Sequence, residues 1–295
     1  MRNDLHHGPQ SQDWRAMWNF DDPASSERRF REALAMLDGP HRAPQRAEVL
    51  TQIARAQGLQ RRFDEANDTL DEVQAMADLP PFVRVRLLLE RGRVLNSLGM
   101  AEQARLLFDL ARELAVRHDE DDLAVDAAHM VAITCEGEEA MAWNLNALSM
   151  AQASRCPRAR RWAGSLHNNL GWTLHAMQRY DEALAHFEAA LHARVEHGNE
   201  DEIGIARWCI ARCLRSLRRL DEALAIQREL LRRLEENGTT NGYVFEELGE
   251  CLYELGRGKE AKPWFTKAHA ELSKDPWLIK GEPERLKRLA EMGGV

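Results

Sequence analysis

The sequence is poor in cysteine, in long apolar runs and in excess positive charge, and each deficit excludes a class of protein. Its five cysteines are an odd, scattered set, which argues against a disulfide framework and favours the reducing cytoplasm. No stretch approaches the roughly 20 apolar residues of a membrane helix, and residues 1–17 carry no apolar core of a secretory signal, so we expect no membrane contact. A net charge of −8 argues against nucleic acid as a partner.

Motifs that carry catalysis or bind cofactors are also missing from the sequence. It contains no glycine-rich phosphate loop, no Gly-x-Ser-x-Gly motif and no His-Glu-x-x-His motif. Cys209 and Cys213 are four residues apart and can in principle share a metal. However, Cys213 and Cys251 each follow a small residue of the repeat described next by two positions, which favours packing. We therefore expect no enzymatic activity, no cofactor and no metal.

The sequence does contain an internal repeat. A small residue is followed twelve positions later by an alanine, and four positions after that by a residue that is often phenylalanine or leucine. The anchor alanines are Ala66, Ala104, Ala140, Ala183, Ala223 and Ala261. The small residues that precede them are Ala54, Gly92, Ala128, Gly171, Ala211 and Gly249. The anchors are 38, 36, 43, 40 and 38 residues apart, which indicates one structural unit used six times.

This pattern resembles the tetratricopeptide repeat, a helix–turn–helix unit of about 34 residues. The best copy carries Leu170, Gly171, Ala183, Phe187 and Ala190 at matching positions. The resemblance covers roughly residues 47–275 and predicts repeats at 47–80, 85–118, 121–154, 164–197, 204–237 and 242–275, of which the third is the most divergent. The spacings exceed the family value, as in the expanded repeats of kinesin light chain adaptors and bacterial repeat proteins.

The resemblance implies an all-α fold, a right-handed α-solenoid of stacked helix–turn–helix repeats with helical caps. Glycine or alanine at the helix crossing allows the two axes to approach to about 8–10 Å. Each repeat buries its apolar face by stacking on the next, so the array shares a continuous core. The largest gap between repeats surrounds Pro157, which we expect to start a helix.

Both ends of the array have the features of caps. We expect residues 1–10 to be a disordered tail and residues 11–46 to be a helical cap or a degenerate repeat. In that region Asp22 can cap a helix that begins at Pro23 and stops before Gly39. Residues 276–295 predict a C-terminal capping helix, in which Pro283 marks a helix start.

The resemblance also implies that the first helix of each repeat lines a concave groove. The positions that flank the Leu-Gly pair then give the predicted peptide-binding residues: Arg55, Arg93, Asn96, His129, Asn168, Asn169, Trp172, His175, Trp208, Arg212, Arg215, Glu246, Glu250 and Tyr253. Asn168, Trp172 and His175 have the spacing i, i+4, i+7 of one helix face. The same spacing recurs in the stripe that begins at Trp208.

These residue types suit an extended peptide. An asparagine amide can both donate to and accept from a peptide backbone, the role that the resemblance gives to Asn169 and, less strongly, to Asn168. Trp172 and Trp208 offer buried anchors, and the arginines offer forks for carboxylates. The alternative is that these tryptophans and arginines pack and pair only between repeats. A lysine-and-asparagine clamp for a terminal carboxylate is absent from the first five repeats, because every lysine lies between Lys259 and Lys287.

The sequence thus predicts a non-catalytic, cytoplasmic interaction module that holds a peptide or protein segment in its groove. The groove is expected to be positive in its middle and acidic at its C-terminal end, where Glu246, Glu247, Glu250 and Glu254 lie close together in sequence. One alternative is a peptide- or ligand-sensing regulator that acts through a separate effector, and a second is an enzyme with a groove site. Arginine greatly outnumbers lysine, which favours a bacterial source. The partner and the oligomeric state are left open.

Overall fold

Helix is the only regular secondary structure in residues 14–196 and 200–295, which are the residues that the computed structural model describes. The chain divides into two compact units, Met1–Arg160 and Arg161–Val295, here called unit 1 and unit 2. None of the helices in the described ranges is both long and apolar enough to cross a membrane. The tail predicted at residues 1–10 lies outside these ranges.

Unit 1 begins with a short 3-10 helix, Trp14–Met17, and continues through eight α-helices of the described chain. Their bounds are α1 Pro23–Ala35, α2 Ala43–Leu59, α3 Phe63–Ala75, α4 Pro81–Ser97, α5 Ala101–Arg117, α6 Asp121–Ile133, α7 Gly137–Ala153 and α8 Pro157–Arg160. Helices α2 and α3, α4 and α5, and α6 and α7 pack as antiparallel pairs. A second 3-10 helix, Pro40–Arg42, leads into α2.

Unit 2 contains a further eight α-helices in the described part of the chain. Their bounds are α9 Ala163–Ala176, α10 Tyr180–Val195, α11 Glu200–Ser216, α12 Leu220–Glu236, α13 Gly242–Glu254, α14 Gly258–Leu272, α15 Pro276–Gly281 and α16 Pro283–Gly293. Again consecutive helices pair, α9 with α10, α11 with α12 and α13 with α14, and each pair packs on the next. The predicted all-α fold of stacked helix–turn–helix repeats is confirmed.

The crossing of each helix pair is controlled by the size of two facing residues. A methyl group added to Gly171 would lie 2.5 Å from the ring of Phe187, closer than carbon atoms can approach. The same contact is 2.4 Å in the pair Gly92 and Phe108 and 2.9 Å in the pair Gly249 and Phe265. Where alanine replaces glycine, the residue at the phenylalanine position is smaller than phenylalanine: Leu70 for Ala54, Asn144 for Ala128 and Gln227 for Ala211. The glycines therefore make room for the phenylalanine rings that fill the core.

The turn inside most pairs contains one residue in the left-handed conformation. These residues have φ between 62° and 80° and are Arg61, Gly99, Gln178, Arg218 and Gly256. A hydrogen bond from the residue directly after the left-handed one closes the turn, for example from the Arg179 N–H to the Leu174 carbonyl at 2.9 Å. This is the helix-ending geometry that usually selects glycine, yet only two of the five positions are glycine.

Local predictions for the caps and for Pro157 are confirmed in part. The side chain of Asp22 accepts a hydrogen bond from the Ser25 N–H at 3.0 Å, and Pro23 is the first residue of α1. Pro157 does start a helix, but α8 has only four residues. The region 276–295, predicted as one capping helix, holds the two helices α15 and α16.

The segment before α1 lies beside α2 in the way that a first helix of a repeat would. The indole Nε1 of Trp14 donates to Glu48 at 3.1 Å, and that of Trp18 donates to Gln52 at 3.0 Å. Both partners are 34 residues further along the chain, which is one repeat length. This register favours a degenerate repeat at the N-terminal end.

Candidate functional site

Three aromatic side chains form a ladder across the first helices of unit 2. Trp172 on α9, Trp208 on α11 and Tyr243 on α13 occupy successive repeats, and their ring centroids are 6.0 and 6.1 Å apart. The indole Nε1 of Trp208 donates to the Tyr243 carbonyl at 3.1 Å, which fixes the ring. They are not equivalent positions of the repeat, because Trp172 follows Gly171 by one residue whereas Trp208 precedes Ala211 by three, and their contact depends on how the first helices stack. We call these three residues the aromatic ladder.

Two other aromatic rings pack against Trp172, the first residue of the aromatic ladder. The Trp172 ring meets the buried Phe187 ring edge-on at 5.1 Å and the His175 ring at 5.3 Å. Trp172 and Trp208 are half-buried, whereas Tyr243 is 37% exposed. Supported aromatic rings of this kind present area to a partner at low conformational cost.

Two asparagines precede the first rung on α9. Asn168 and Asn169 are both half-buried. The side-chain amide oxygen of Asn168 accepts a hydrogen bond from the Cys209 thiol at 3.3 Å, so this side chain links α9 to α11. The predicted order of importance, Asn169 before Asn168 as a holder of peptide backbone, stays a prediction.

A histidine, a serine and an arginine meet beside the ladder. His175 Nε2 lies 2.9 Å from the Ser216 hydroxyl, and Arg212 Nη1 donates to the same hydroxyl at 2.8 Å. Burial, followed by the charges of Arg212 and Arg215, lowers the pKa of His175 to about 4. The imidazole is therefore neutral near pH 7, and its Nε2 can accept a hydrogen bond from the Ser216 hydroxyl.

The predicted groove arginines of unit 2 are held by carboxylates of the following repeat. Arg215 donates to both oxygens of Glu247 at 2.8 and 2.9 Å and to Glu254 at 2.8 Å. Glu247 also lies 3.2 Å from Arg212 Nε, and Glu254 also bonds Arg218. Burial alone would lower the pKa of Arg215, but its bonds to Glu247 outweigh burial and raise it above its ordinary value.

The acidic end expected for the groove is neutralised by arginines, so the structure differs from the predicted charge pattern. Glu246 and Glu250 on α13 are 7% and 6% exposed. Arg285 and Arg288 of α16 bond them, at 2.9 Å from Arg285 Nε to Glu246 and at 3.0 Å from Arg288 Nη2 to Glu250. These two predicted site residues therefore attach the C-terminal cap. Tyr253, by contrast, is 52% exposed.

The four predicted residues of unit 1 belong to a different environment. Arg93 donates to Glu90 and to Asp126, each at 2.6 Å, and Arg55 lies 3.4 Å from Glu90. Burial would raise the pKa of Asp126, but the charges of Arg93 and then Arg55 outweigh burial and lower it. Burial also lowers the pKa of the adjacent His129. These two arginines and two carboxylates form a neutral network that links the first helices α2, α4 and α6.

Aromatic residues of the N-terminal segment cover one end of this network. The Trp18 and Phe20 rings stack 4.9 Å apart, and the Arg55 guanidinium lies 5.9 Å from each ring centroid. Asn96, the remaining predicted residue of unit 1, is half-buried near the end of α4. Arg55 and Arg93 thus already contact groups of their own unit.

The cysteines on the first helices of unit 2 are packing residues. Cys209, Cys213 and Cys251 are buried, and burial raises their pKa values to about 11, 11 and 12. Within the described ranges, no group of three or more His, Cys, Asp or Glu side chains is placed to hold a metal ion.

Sequence analysis missed Ser216 as a member of the candidate site and did not pair the arginines with Glu247 and Glu254. A signal for these pairs does exist in the sequence. Partners on neighbouring first helices recur 32 to 35 residues apart, as in Arg215 with Glu247 and Arg55 with Glu90. A search for opposite charges at this offset would have found the ion pairs.

Comparison with known proteins agrees with the repeat geometry. Residues 168–238 match the tetratricopeptide repeat family. The predicted resemblance to tetratricopeptide repeat proteins is confirmed. No curated protein matches the chain by sequence.

Solved structures of tetratricopeptide repeat proteins share the fold. The apo form of RapI superposes with a TM-score of 0.66 at 13% identity, covering 95% of this chain and 84% of RapI. A signal transduction ATPase from Pyrococcus horikoshii with a tetratricopeptide repeat sensor has a TM-score of 0.65 at 14% identity, covering 90% of this chain and 41% of the ATPase. A putative kinesin light chain from Podosopora anserina has a TM-score of 0.50 at 14% identity, covering 65% of this chain and 95% of that one. At these identities the likeness shows the fold.

Proposed function

We propose that unit 2 is a non-catalytic interaction module that binds an extended segment of a partner protein across its first helices. The tetratricopeptide repeat fold is that of protein-interaction scaffolds, which supports the general class. The observation that carries the specific proposal is the aromatic ladder of Trp172, Trp208 and Tyr243. Rigid, half-buried aromatic residues are the side chains on which binding energy concentrates in protein interfaces.

The surroundings of the ladder fit an extended ligand. Asn168 and Asn169 lie one turn before Trp172 on α9, where their amides can meet a peptide backbone that passes the ring. Arg212, with a side chain 27% exposed, lies one turn after Trp208 on α11. Polar groups on both sides of an apolar anchor give a bound segment direction and register.

Unit 1 is less suited to the same role. Arg55, Glu90, Arg93 and Asp126 pair with one another, and Trp18 and Phe20 cover one end of the network. A ligand there would have to break partly buried ion pairs, and a buried charge left without its partner makes the free energy of binding less favourable. We therefore place the binding site in unit 2.

A selected peptide and a matched pair of variants test this proposal. A random peptide library displayed on phage is selected against the whole protein, and the affinity of the best peptide is measured by fluorescence anisotropy. The variants Trp172→Ala and Trp208→Ala should each weaken binding by about 30-fold, since anchors of this kind contribute about 2 kcal/mol or more. The Asn169→Ala variant should show a smaller loss.

Trp277→Ala is the control variant, because Trp277 is 58% exposed on α15 and lies outside the ladder. It should leave the affinity unchanged. The proposal is wrong if no peptide is selected, or if Trp277→Ala weakens binding as much as the ladder variants do. Circular dichroism must show the same helix content in all variants.

The sensing alternative is favoured by one comparison, since the Pyrococcus horikoshii ATPase carries its tetratricopeptide repeats as a sensor. A sensor would also bind a peptide, but binding would have to change the contacts that this chain makes with an effector. A selected peptide that raises the melting temperature and alters the co-purification of a native partner would favour sensing.

The five unpaired cysteines fit the cytoplasmic location that we propose.

A further inference from the structure

The charges beside the aromatic ladder do not balance. Three guanidinium groups, those of Arg212, Arg215 and Arg218, surround the two carboxylates of Glu247 and Glu254. Each oxygen of both carboxylates already bonds an arginine. The cluster therefore carries one positive charge that its own carboxylates do not neutralise.

Arg212 is the arginine with a donor left for a ligand. Its Nε faces Glu247 at 3.2 Å and its Nη1 donates to Ser216 at 2.8 Å. Its Nη2 makes no hydrogen bond to any residue of the described chain. Arg215 uses Nε, Nη1 and Nη2 for carboxylates. Arg212 is also more exposed than Arg215, 27% against 14% for the side chains.

The charged groups near His175 are also positive. From α11 it meets Arg212, Arg215 and the Ser216 hydroxyl, and from α10 it meets the uncharged Tyr180 ring at 5.0 Å. On its own helix it meets the Trp172 ring. No carboxylate is among the charges that act on His175 in the described chain. The charges that shift the pKa of His175 are therefore both positive, although Glu247 bonds the two arginines that carry them.

We propose that Arg212, Ser216 and His175 form an anion subsite that binds a carboxylate of the segment lying on the aromatic ladder. The subsite rests on the proposed function, because it assigns the chemistry of one group of that ligand. Arg212 Nη2 supplies a charge-assisted hydrogen bond to the carboxylate. The ladder holds an apolar part of the same segment one turn away.

The subsite couples binding to protonation of His175. A carboxylate within about 4–6 Å of an imidazole stabilises its charged form and raises its pKa, commonly by about one unit or more. By linkage, the carboxylate then binds more tightly as the pH falls from 7 towards about 5, and this gain ends below that pH because the ligand carboxyl, with an ordinary pKa of about 4, takes up its own proton. A site that only stacks apolar groups on the ladder would show neither effect.

Small probes test the subsite without any peptide. The His175 ring signals are followed by NMR from pH 7.5 to 3.5 and assigned with a His175→Gln variant. The probes are N-acetylglutamate α-amide, which carries only a side-chain carboxylate, and N-acetylglycine, which carries only a terminal one. N-acetylglutamine amide serves as the uncharged probe, and sodium chloride keeps the ionic strength constant.

Either carboxylate probe should raise the pKa of His175 by about one unit, and the stronger probe identifies the source of the carboxylate. Arg212→Gln should abolish the rise. Arg218→Gln also removes one arginine of the cluster, but at a side chain 67% exposed and bonded to Glu254, so the rise should remain. Arg212→Lys keeps the charge and loses the fork, and should keep a smaller rise.

The subsite is refuted if neither carboxylate moves the pKa of His175 more than the uncharged probe does, or if the rise persists in Arg212→Gln. This result is independent of the peptide experiment. Loss of peptide binding in Trp172→Ala with an intact probe effect separates the ladder from the subsite. Peptide binding with no probe effect keeps the proposed function and removes the subsite.

Discussion

Replacing Gly171 by alanine tests the packing rule on which the repeats depend. The added methyl group would lie 2.5 Å from a ring carbon of Phe187, and that ring is fully buried. Overpacking of this kind costs about 1–3 kcal/mol, since the ring and the backbone must shift together. Alanine in place of glycine inside a helix also returns about 1 kcal/mol of helix propensity. We expect a net loss of up to about 2 kcal/mol in the free energy of unfolding.

The sign of the effect should reverse when the ring is removed. In a Phe187→Leu background the methyl group meets a smaller side chain, and the first repeat has the same combination of residues, Ala54 with Leu70, at the corresponding positions. There Gly171→Ala should stabilise the protein by up to about 1 kcal/mol, because only the propensity gain remains. The double-mutant cycle should then show a coupling energy of about 2 kcal/mol.

Gly204 provides the matched control in the same unit. It lies inside α11, and a methyl group added there meets no atom of the described residues within 4 Å. Gly204→Ala should therefore stabilise unit 2 by up to about 1 kcal/mol in either background. Unfolding in urea, followed by circular dichroism at 222 nm (the usual helix wavelength), gives the free energy for each variant. The packing argument fails if Gly171→Ala and Gly204→Ala have the same effect.

Three further predictions follow from buried or strained groups. Gln227 is fully buried, and neither amide atom bonds any described residue, so Gln227→Leu should raise the free energy of unfolding by about 1–3 kcal/mol in urea titrations. Gln178 has φ of 62°, so Gln178→Gly should raise the melting temperature, with no change in helix content. Burial lowers the pKa values of His167 and His186, whose Nδ1 atoms are 2.9 Å apart. The unfolded chain then binds more protons below pH 6.5, so stability should fall between pH 6.5 and 5, and less so when both are glutamine.

The sequence predicted the fold because the residues that set the helix packing recur at fixed positions within each repeat. A small residue, an alanine twelve positions later and a large residue four further on place one helix against the next, and these distances are local. A separate local signal, Asp22 before Pro23, predicted the start of α1, because a side-chain cap depends on neighbours three residues apart. The short length of α8 and the second helix of the C-terminal cap were missed, since both depend on contacts with other helices.

The candidate site was predicted only in part. The repeat register correctly placed Trp172 and Trp208 on the first helices of neighbouring repeats, where they meet. It left open whether the arginines pair between repeats or face a ligand, and it took Glu246 and Glu250 as groove residues, although Arg285 and Arg288 of α16 bond them. It also treated unit 1 and unit 2 alike, although Arg55 and Arg93 are engaged by their own unit.

The sequence by itself determined which residues line each first helix, because helical periodicity and the repeat length are properties of the chain. The tertiary structure alone decided which of those residues remain open to a ligand. The reason is that ion pairs and ring contacts join side chains 32 to 39 residues apart on different helices, where small changes in distance decide whether a charge is satisfied.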